Sequence, residues 1–409
     1  MHVLIAGGGI GGLTLALMLH KRGIEATIFE QASEVRELGV GINTLPAAIG
    51  ELAELGLLEK LDATGIRTRE LIYLNRQGQE VWRELRGMHA GAPHPQFSIH
   101  RGRFQRVLFD AVVERLGRSA ILTGQRLAGV IQGEGGVTAH FTGAKDGLST
   151  LTVQGDVLIG ADGIHSSLRS MFYRNEGPPN WDGVLMWRGA AEFPQYLDGE
   201  TMFIGGGMGA KFVLYPIAEA GEGRRLTNWV VCIRVADGAT TPPPKDSWSR
   251  TARLEEVLPY GLRFKVPGVD IEALIRQSPA AYEYPMCDRD PLPRWNFGRA
   301  ALSGDAAHPM YPVGSNGASQ AILDARCLAD WLVKAEHPQQ ALHEYDRIRR
   351  PATAKIVKAN RSGGPEGVID EVEKLAPEGF ERASDVMSLE KRARVVHAAT
   401  GMWPVASGD

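Results

Sequence analysis

"HVLIAGGGIGGLTLALMLHKRGIEATIFE", residues 2–30, decides the fold. An apolar run from Val3 to Ala6 reads as a strand, and a glycine turn follows. A helix from about Leu13 to Arg22 comes next, then a second strand from Ala26 to Glu30. Gly7, Gly9 and Gly12 stand in G-x-G-x-x-G register. Gly7 would allow the sharp turn, and Gly9 would let backbone approach a pyrophosphate. Gly12 would let helix pack closely on strand, with the helix amides facing the phosphates. Glu30 ends the second strand about 20 residues on, where a carboxylate accepts both hydroxyls of a ribose. A carboxylate there repels a 2′-phosphate, so the bound adenosine ribose is expected to be unphosphorylated.

A second match, "GGGMGA" from Gly205 to Ala210, fits the pattern but not its context. The following "KFVLYPI" is β-rich and ends near Pro216, so no helix N-terminus would face the loop. It reads as a hairpin turn, and the chain is expected to hold a single dinucleotide fold.

Helical periodicity runs from about Pro46 to Leu61 and from Arg103 to Arg115. "ELIYLNRQGQEVWREL" alternates as a hairpin turning at Gln77-Gly78. "GDVLIGADG", residues 155–163, is a compact strand ending in a turn. From about Arg174 to Met286 the texture changes to short aromatic-rich strands, with "TTPPPKDSW" as a loop. Helices return from Ala318 and break near Gly363, and the tail from Pro365 reads as polar, helical and peripheral.

The composition sets outer limits. The 409 residues carry 45 basic and 48 acidic side chains, for a net charge of −3. That balance gives no basic field for nucleic acid or an anionic membrane. No apolar run reaches the roughly 18–20 residues of a membrane span. Cys232, Cys287 and Cys327 fit no disulfide or metal spacing, which points to a reducing cytoplasm. The histidines, His308 included, show no ligand spacing, so no metal is expected.

One acidic residue needs a reason. In "ALSGDAAHPMYPVGSNGASQAILDA", residues 301–325, Asp305 sits among small residues between a strand and a broken, proline-bearing loop. It is either a helix cap or an acceptor for a ligand at a strand terminus.

Three stretches then fall in order: the glycine fingerprint with Glu30, "IGADGIHSSLR" (159–169) and "LSGDAAHPMYP" (302–312). With that order and spacing the chain resembles the class A flavin-dependent monooxygenases, of the para-hydroxybenzoate hydroxylase fold. The resemblance covers about residues 1–360. "GVGINTLPAA", "QFSIHRG", "MWRGAAEF", "YPMCDRDPLPRW" and "GSNGASQAILDA" are most similar to the phenazine hydroxylases within that family.

The resemblance implies an α/β protein: a Rossmann-like FAD-binding domain (1–70, 97–173 and 287–360), an inserted β-sheet substrate domain (71–96 and 174–286), and a C-terminal helical tail (361–409). It implies that Gly7, Gly9, Gly12 and Glu30 hold the ADP half of FAD. Arg101 would reach the pyrophosphate and ribityl chain, and the backbone of Leu127 the adenine. Asp162 and Gly163 form the DG pair near the phosphates and the passing NADPH or NADH. Asp305 would bond the ribityl hydroxyls, while Gly317 and Ala318 open a helix toward the flavin ring. Where many relatives have Gly-Gln-Gly, this chain has Ser315-Asn316-Gly317, which suggests a stiffer loop.

Arg188, Tyr215 and Pro312 are implied at the reacting centre. Arg188 would pair with Asp305 or hold the oxygen-adding region, and Tyr215 would hydrogen-bond the substrate. Trp187, Trp229 and Met186 would wall the pocket or fill the β core. His308 reads as structural, bonding to backbone. The implied reaction uses NAD(P)H and O2 and passes through a C4a-hydroperoxyflavin. The substrate would be a small aromatic or N-heteroaromatic acid or phenol, and hydroxylation with loss of a ring carboxylate is included. A salicylate- or hydroxynicotinate-type hydroxylase is the near alternative. A flavin reductase, a halogenase or a flavin-binding sensor stand further off: no Trp-x-Trp-x-Ile-Pro stretch is present, and "GMWPV" does not replace it. The protein is expected to be a monomer or homodimer.

Overall fold

A computed structural model describes residues 1–34, 40–143, 147, 149–237 and 250–400 of the chain. The loop "TTPPPKDSW", the stretch "GMWPV" and Gly39 lie outside the described residues.

The strand His2–Ala6 sits in the middle of a six-stranded sheet. Glu25–Glu30 and Val157–Gly160 flank it in parallel. Ala300–Leu302 continues the parallel run on one side and Ile121–Thr123 on the other, and only Asn296–Phe297 at the edge runs antiparallel. Strands buried on both faces read as continuous apolar runs, and VLIA and VLIG are such runs.

The helix Ile10–Lys21 is buried over Gly12 to Leu19. It has almost no polar stripe because the sheet lies on one side and the helices Gly317–Lys334 and Arg101–Leu116 pack around the rest. Gly12 is obligatory, since a Cβ there would stand 2.0 Å from the Gly7 carbonyl oxygen.

The second large sheet has eight strands and packs as a wall. Its order is Arg250–Ala252, Ala281–Asp288, Asn180–Pro194, Arg224–Arg234, Ala210–Glu219, Thr201–Gly205, Glu70–Leu74 and Glu80–Leu85. All neighbours are antiparallel except Thr201–Gly205 with Glu70–Leu74. The strands are longer than their glycine-rich sequence suggests, and Asn180–Pro194 spans 15 residues. Gly189 explains part of this. Within the strand it leaves a gap filled by Trp229 of the neighbouring strand, and a Cβ would meet that indole at 2.5 Å. The glycine is a packing device here rather than a turn.

Two helices, Leu254–Gly261 and Ile271–Arg276, cover one face of this sheet; the β-rich reading of the sequence contains neither. Between the two large sheets runs a small antiparallel one, Gly41–Thr44, Phe97–His100 and Ile66–Arg67. A further three-stranded meander, Gln125–Gln132, Val137–Gly143 and Thr150–Gly155, lies beside the parallel sheet.

"GGGMGA" forms the turn between Thr201–Gly205 and Ala210–Glu219, as its context suggests. The helical stretch 46–61 is two pieces, Pro46–Glu54 and Leu58–Asp62, broken at Gly56 with φ +69°.

The tail is not peripheral. Val368, Ile369, Val372 and Val396 are fully buried against Leu71, Tyr73, Met202 and Ile204 of the eight-stranded sheet. Most of the polar residues that dominate its sequence face outward, Glu366 and Arg392 being buried, and a few apolar positions at helical spacing do the docking.

Gly189→Val should force either Trp229 or the strand to move, costing about 1–3 kcal/mol. A thermal unfolding midpoint several degrees below the wild-type value is the expected result. An unchanged midpoint would mean that the gap is not filled by Trp229.

Candidate functional site

Two hollows lie at the C-terminal ends of the parallel strands. The first cleft is lined by Gly7, Gly9, Glu30, Arg101, Gln105, Leu127, Asp162 and Gly163, among others. Its floor is the glycine loop. Gly7 has φ +112°, and a Cβ would sit 2.2 Å from the Ala161 carbonyl oxygen, so only glycine lets these two strand ends touch. A Cβ on Gly9 would meet nothing within 4 Å, because that residue faces the open cleft.

Gly9 caps the helix Ile10–Lys21 without a side-chain acceptor, and no acid stands in the first turn. The positive end of the helix is therefore left for a ligand anion. Glu30 is aimed by two backbone amides, Gly8 N–H to Oε2 and Ala32 N–H to Oε1, each 2.7 Å.

Across the cleft, Asp162 Oδ2 accepts the Ser167 amide at 2.7 Å while Oδ1 is buried without a partner among the described residues. Burial pushes this carboxyl above the usual aspartate range, against hydrogen bonds from Ser166 and nearby amides. Gly163 turns with φ +77°.

Arg101 begins the helix Arg101–Leu116 and lies close enough to Asp305 to favour its ionised form. Asp305 itself lines a second cavity, of about 260 Å³. That cavity is lined by Asp305, Pro312, Gly317 and Ala318 below, and by Arg188 and Tyr215 of the eight-stranded sheet above.

Asp305 occupies a single 3-10 turn, Gly304–Ala306, and caps no helix, so the cap alternative does not hold. Its side chain lines the cavity, and no protein group hydrogen-bonds it among the described residues. The enclosing protein pushes its carboxyl up, with His308 and Arg101 acting the other way. An acceptor held in a cavity with no protein donor fits the hydroxyls of a ribityl chain. With the open helix terminus and the aimed Glu30, these residues fit FAD.

Asp305 stays in place because the loop around it is tied down from both ends. Asp324, fully buried, accepts from Gly304 N–H at 3.0 Å, pairs with His308 Nε2 at 2.5 Å, and takes Arg349 Nε at 2.7 Å. From the other side, Arg169 Nη1 donates to the carbonyls of Ala306 and Ala307, each 3.1 Å. His308 is structural, as the sequence suggests, but its side-chain partner is a carboxylate rather than backbone. Asp324, Arg349 and Arg169 escape a reading by motif because their work is done through the loop.

The helix Gly317–Lys334 has no side-chain cap and no acid in its first turn. Ser315 takes φ +60°, which costs a non-glycine residue about 1 kcal/mol. The loop that stands in place of Gly-Gln-Gly is therefore strained at Ser315.

Arg188 does not pair with Asp305. Its Nη2 donates to the Gly41 carbonyl, which also accepts the Tyr215 hydroxyl at 2.8 Å. With its proton committed, Tyr215 offers a substrate only a lone pair.

Trp187 and Trp229, expected in the pocket, are not among its walls. Side chains alternate along a strand, so Met186 and Arg188 face the cavity and Trp187 faces away. It stacks on Tyr260 at 5.2 Å and donates to Glu283 at 2.9 Å. Trp229, opposite Gly189, donates to Ser278 Oγ at 2.7 Å in the same outer core. The real walls are Leu71, Met186, Met202, Ile204, Val213 and Val230.

Burial alone would raise the pKa of Asp324, but His308 and Arg349 hold it at about 2. The stability this carboxylate adds is complete above the ordinary aspartate pKa near 4 and is lost as pH falls toward 2. Asp324→Asn should cost on the order of 2 kcal/mol at pH 7. The gap in unfolding midpoint between variant and wild type should close between pH 4 and pH 2. A gap independent of pH would show that the charge is not what holds the loop.

Comparison with known proteins agrees with this geometry. The model of the FAD binding domain family matches residues 1–252 and 277–360. The chain is 46% identical over 363 residues to the phenazine 1,6-dicarboxylic acid hydroxylase PhzS of Lysobacter antibioticus, covering 88% of this chain and 89% of that one. It is 32% identical to 3-hydroxybenzoate 6-hydroxylase 1 of Aquipseudomonas alcaligenes, over 88% of each. Among solved structures, Klebsiella pneumoniae HpxO complexed with FAD and uric acid superposes with a TM-score of 0.76 at 23% identity, covering 98% and 96% of the two chains. The alignment spans the glycine loop, the DG pair and Asp305 alike, and the chain belongs to the FAD-binding domain family, among its class A FAD-dependent aromatic monooxygenases.

Proposed function

We propose that this enzyme hydroxylates a phenazine carboxylate or a closely similar fused aromatic acid, using FAD, NAD(P)H and O2. Bound FAD supplies the redox and oxygen-transfer chemistry. The chain's residues supply the rest. Glu30, the open end of the helix Ile10–Lys21 and Arg101 would hold the adenosine and pyrophosphate, and Asp305 would hold the ribityl hydroxyls. The start of the helix Gly317–Lys334, which has no side-chain cap and no acid in its first turn, would favour the negative charge that reduction brings. Pro312, lacking an N–H, lines the approach between Asp305 and that helix without competing for hydrogen bonds.

The observation that carries the reading is the cavity above Asp305. Its walls are apolar and rich in methionine, with Met186, Met202, Met286 and Met310 among them, and thioethers pack well on aromatic faces. Arg188, Arg86 and Lys211 also line it, and suit an acid. The sheet above and the tail behind keep water from the reacting ring. The likeness to the phenazine dicarboxylate hydroxylase, at 46% identity, favours a fused ring over a single one.

The test is NADH and NADPH consumption by the FAD-loaded enzyme with phenazine-1-carboxylate, phenazine-1,6-dicarboxylate, salicylate and 3-hydroxybenzoate. The reading expects stimulation by a phenazine acid. The product should be one oxygen heavier or carry hydroxyl in place of carboxylate. Stimulation by the single-ring acids alone would overturn it.

Asp305→Ala should weaken flavin retention on a desalting column, and normal FAD occupancy would remove the assigned contact. Asp162→Ala should slow reduction by nicotinamide, measured anaerobically by stopped flow, more than it weakens FAD binding. Equal reduction rates would dismiss the DG pair from that step.

A further inference from the structure

Lys211 stands four residues before Tyr215 on the same strand, and therefore on the same face. It lines the cavity although only 5% exposed, and its ammonium pairs with the equally buried Glu366, brought in by the tail. Burial works against this ammonium, but Glu366 prevails and the lysine remains charged. An ammonium has three donors. Glu366 takes one, and among the described residues the other hydrogen-bonding contact is a weak one to the Met208 sulfur at 4.0 Å, with Asp370 near enough to act through its charge. The strand partner of Lys211 is Cys232, whose own partner on the far side is Met186, so the surface beside the ammonium is apolar and suits a ring.

Lys211, Arg86 and Arg188 bring three cations to the cavity wall, where Glu366 is the one acid besides Asp305, with Glu84 paired to Arg86 and Asp370 near Lys211 behind the wall. Arg86 is bonded to Glu84 and to the Tyr73 hydroxyl, but its Nε is buried without a partner among the described residues. Enclosed cations with spare donors favour an anionic guest.

We propose that Lys211 is the residue that selects for a ring carboxylate, taking it in a charge-assisted hydrogen bond while Glu366 holds the ammonium against the cavity wall. The proposal rests on the reading of the substrate as an aromatic acid. It assigns no chemical step to Lys211, whose role is recognition.

Removing lysine alone would strand Glu366 as a buried charge, so the informative variant is Lys211→Met/Glu366→Gln, with Lys211→Arg as the conservative control. Binding of phenazine-1-carboxylate and of unsubstituted phenazine is read from the perturbation of flavin absorbance in the FAD-loaded enzyme. The ratio of the two affinities should fall about tenfold or more in the double variant and be largely retained in Lys211→Arg. KM for the acid should rise more than kcat falls. An unchanged ratio, or an equal weakening of both ligands, overturns the proposal while leaving the monooxygenase reading in place. A wild-type enzyme that binds unsubstituted phenazine better than its carboxylate overturns the aromatic-acid reading, and the proposal with it.

Discussion

A single buried carboxylate, Asp324, holds the centre of this molecule in register. It receives a backbone amide, an imidazole and a guanidinium, and all three come from segments that meet at the end of one parallel strand. Without that convergence the loop carrying Asp305 would keep only its backbone hydrogen bonds and the Arg169 contacts, since the Asp305 side chain accepts no hydrogen bond from the described residues. The arrangement separates two tasks. Asp324 spends its lone pairs on structure, which leaves those of Asp305 free for a ligand. A buried carboxylate with three partners is stabilising, whereas one partner fewer would leave a costly unpaired group.

The eight-stranded sheet is a partition with two different faces. One face buries Trp187, Trp229 and Phe212 against two helices; the other carries Arg188, Tyr215 and Lys211 toward the cofactor side. Gly41 links the halves. Its carbonyl accepts both Arg188 and Tyr215, its amide donates to Asn228, and a Cβ there would clash with the tyrosine ring at 2.5 Å. Gly41, within the stretch "GVGINTLPAA", is thus one tight point in the docking of the sheet to the flavin-binding half, alongside the Arg361–Asp288 pair.

The parallel core was legible from the first thirty residues, because strand, turn and helix periods and the terminal acid agree with one another. The DG pair and Asp305 were legible through their order along the chain. The aromatic pocket was misjudged for a reason present in the sequence. If Arg188 faces the cavity, strand alternation sends Trp187 the other way, and Lys211 must share a face with Tyr215. What the sequence could not reveal is which distant strands lie side by side. That pairing places Gly189 under Trp229 and Arg86 beside Tyr73. The tail was misjudged because its average polarity hides the few buried valines that dock it.

The order in which the chain is made has a bearing on the finished chamber. Every residue lining the first cleft lies before position 170, and Asp305 and the helix from Gly317 follow well before Gly363. Pro365 and Glu366, which close the second cavity, arrive only with the last stretch of polypeptide. The segments that build the nucleotide berth thus all precede the one that completes the wall of the aromatic chamber.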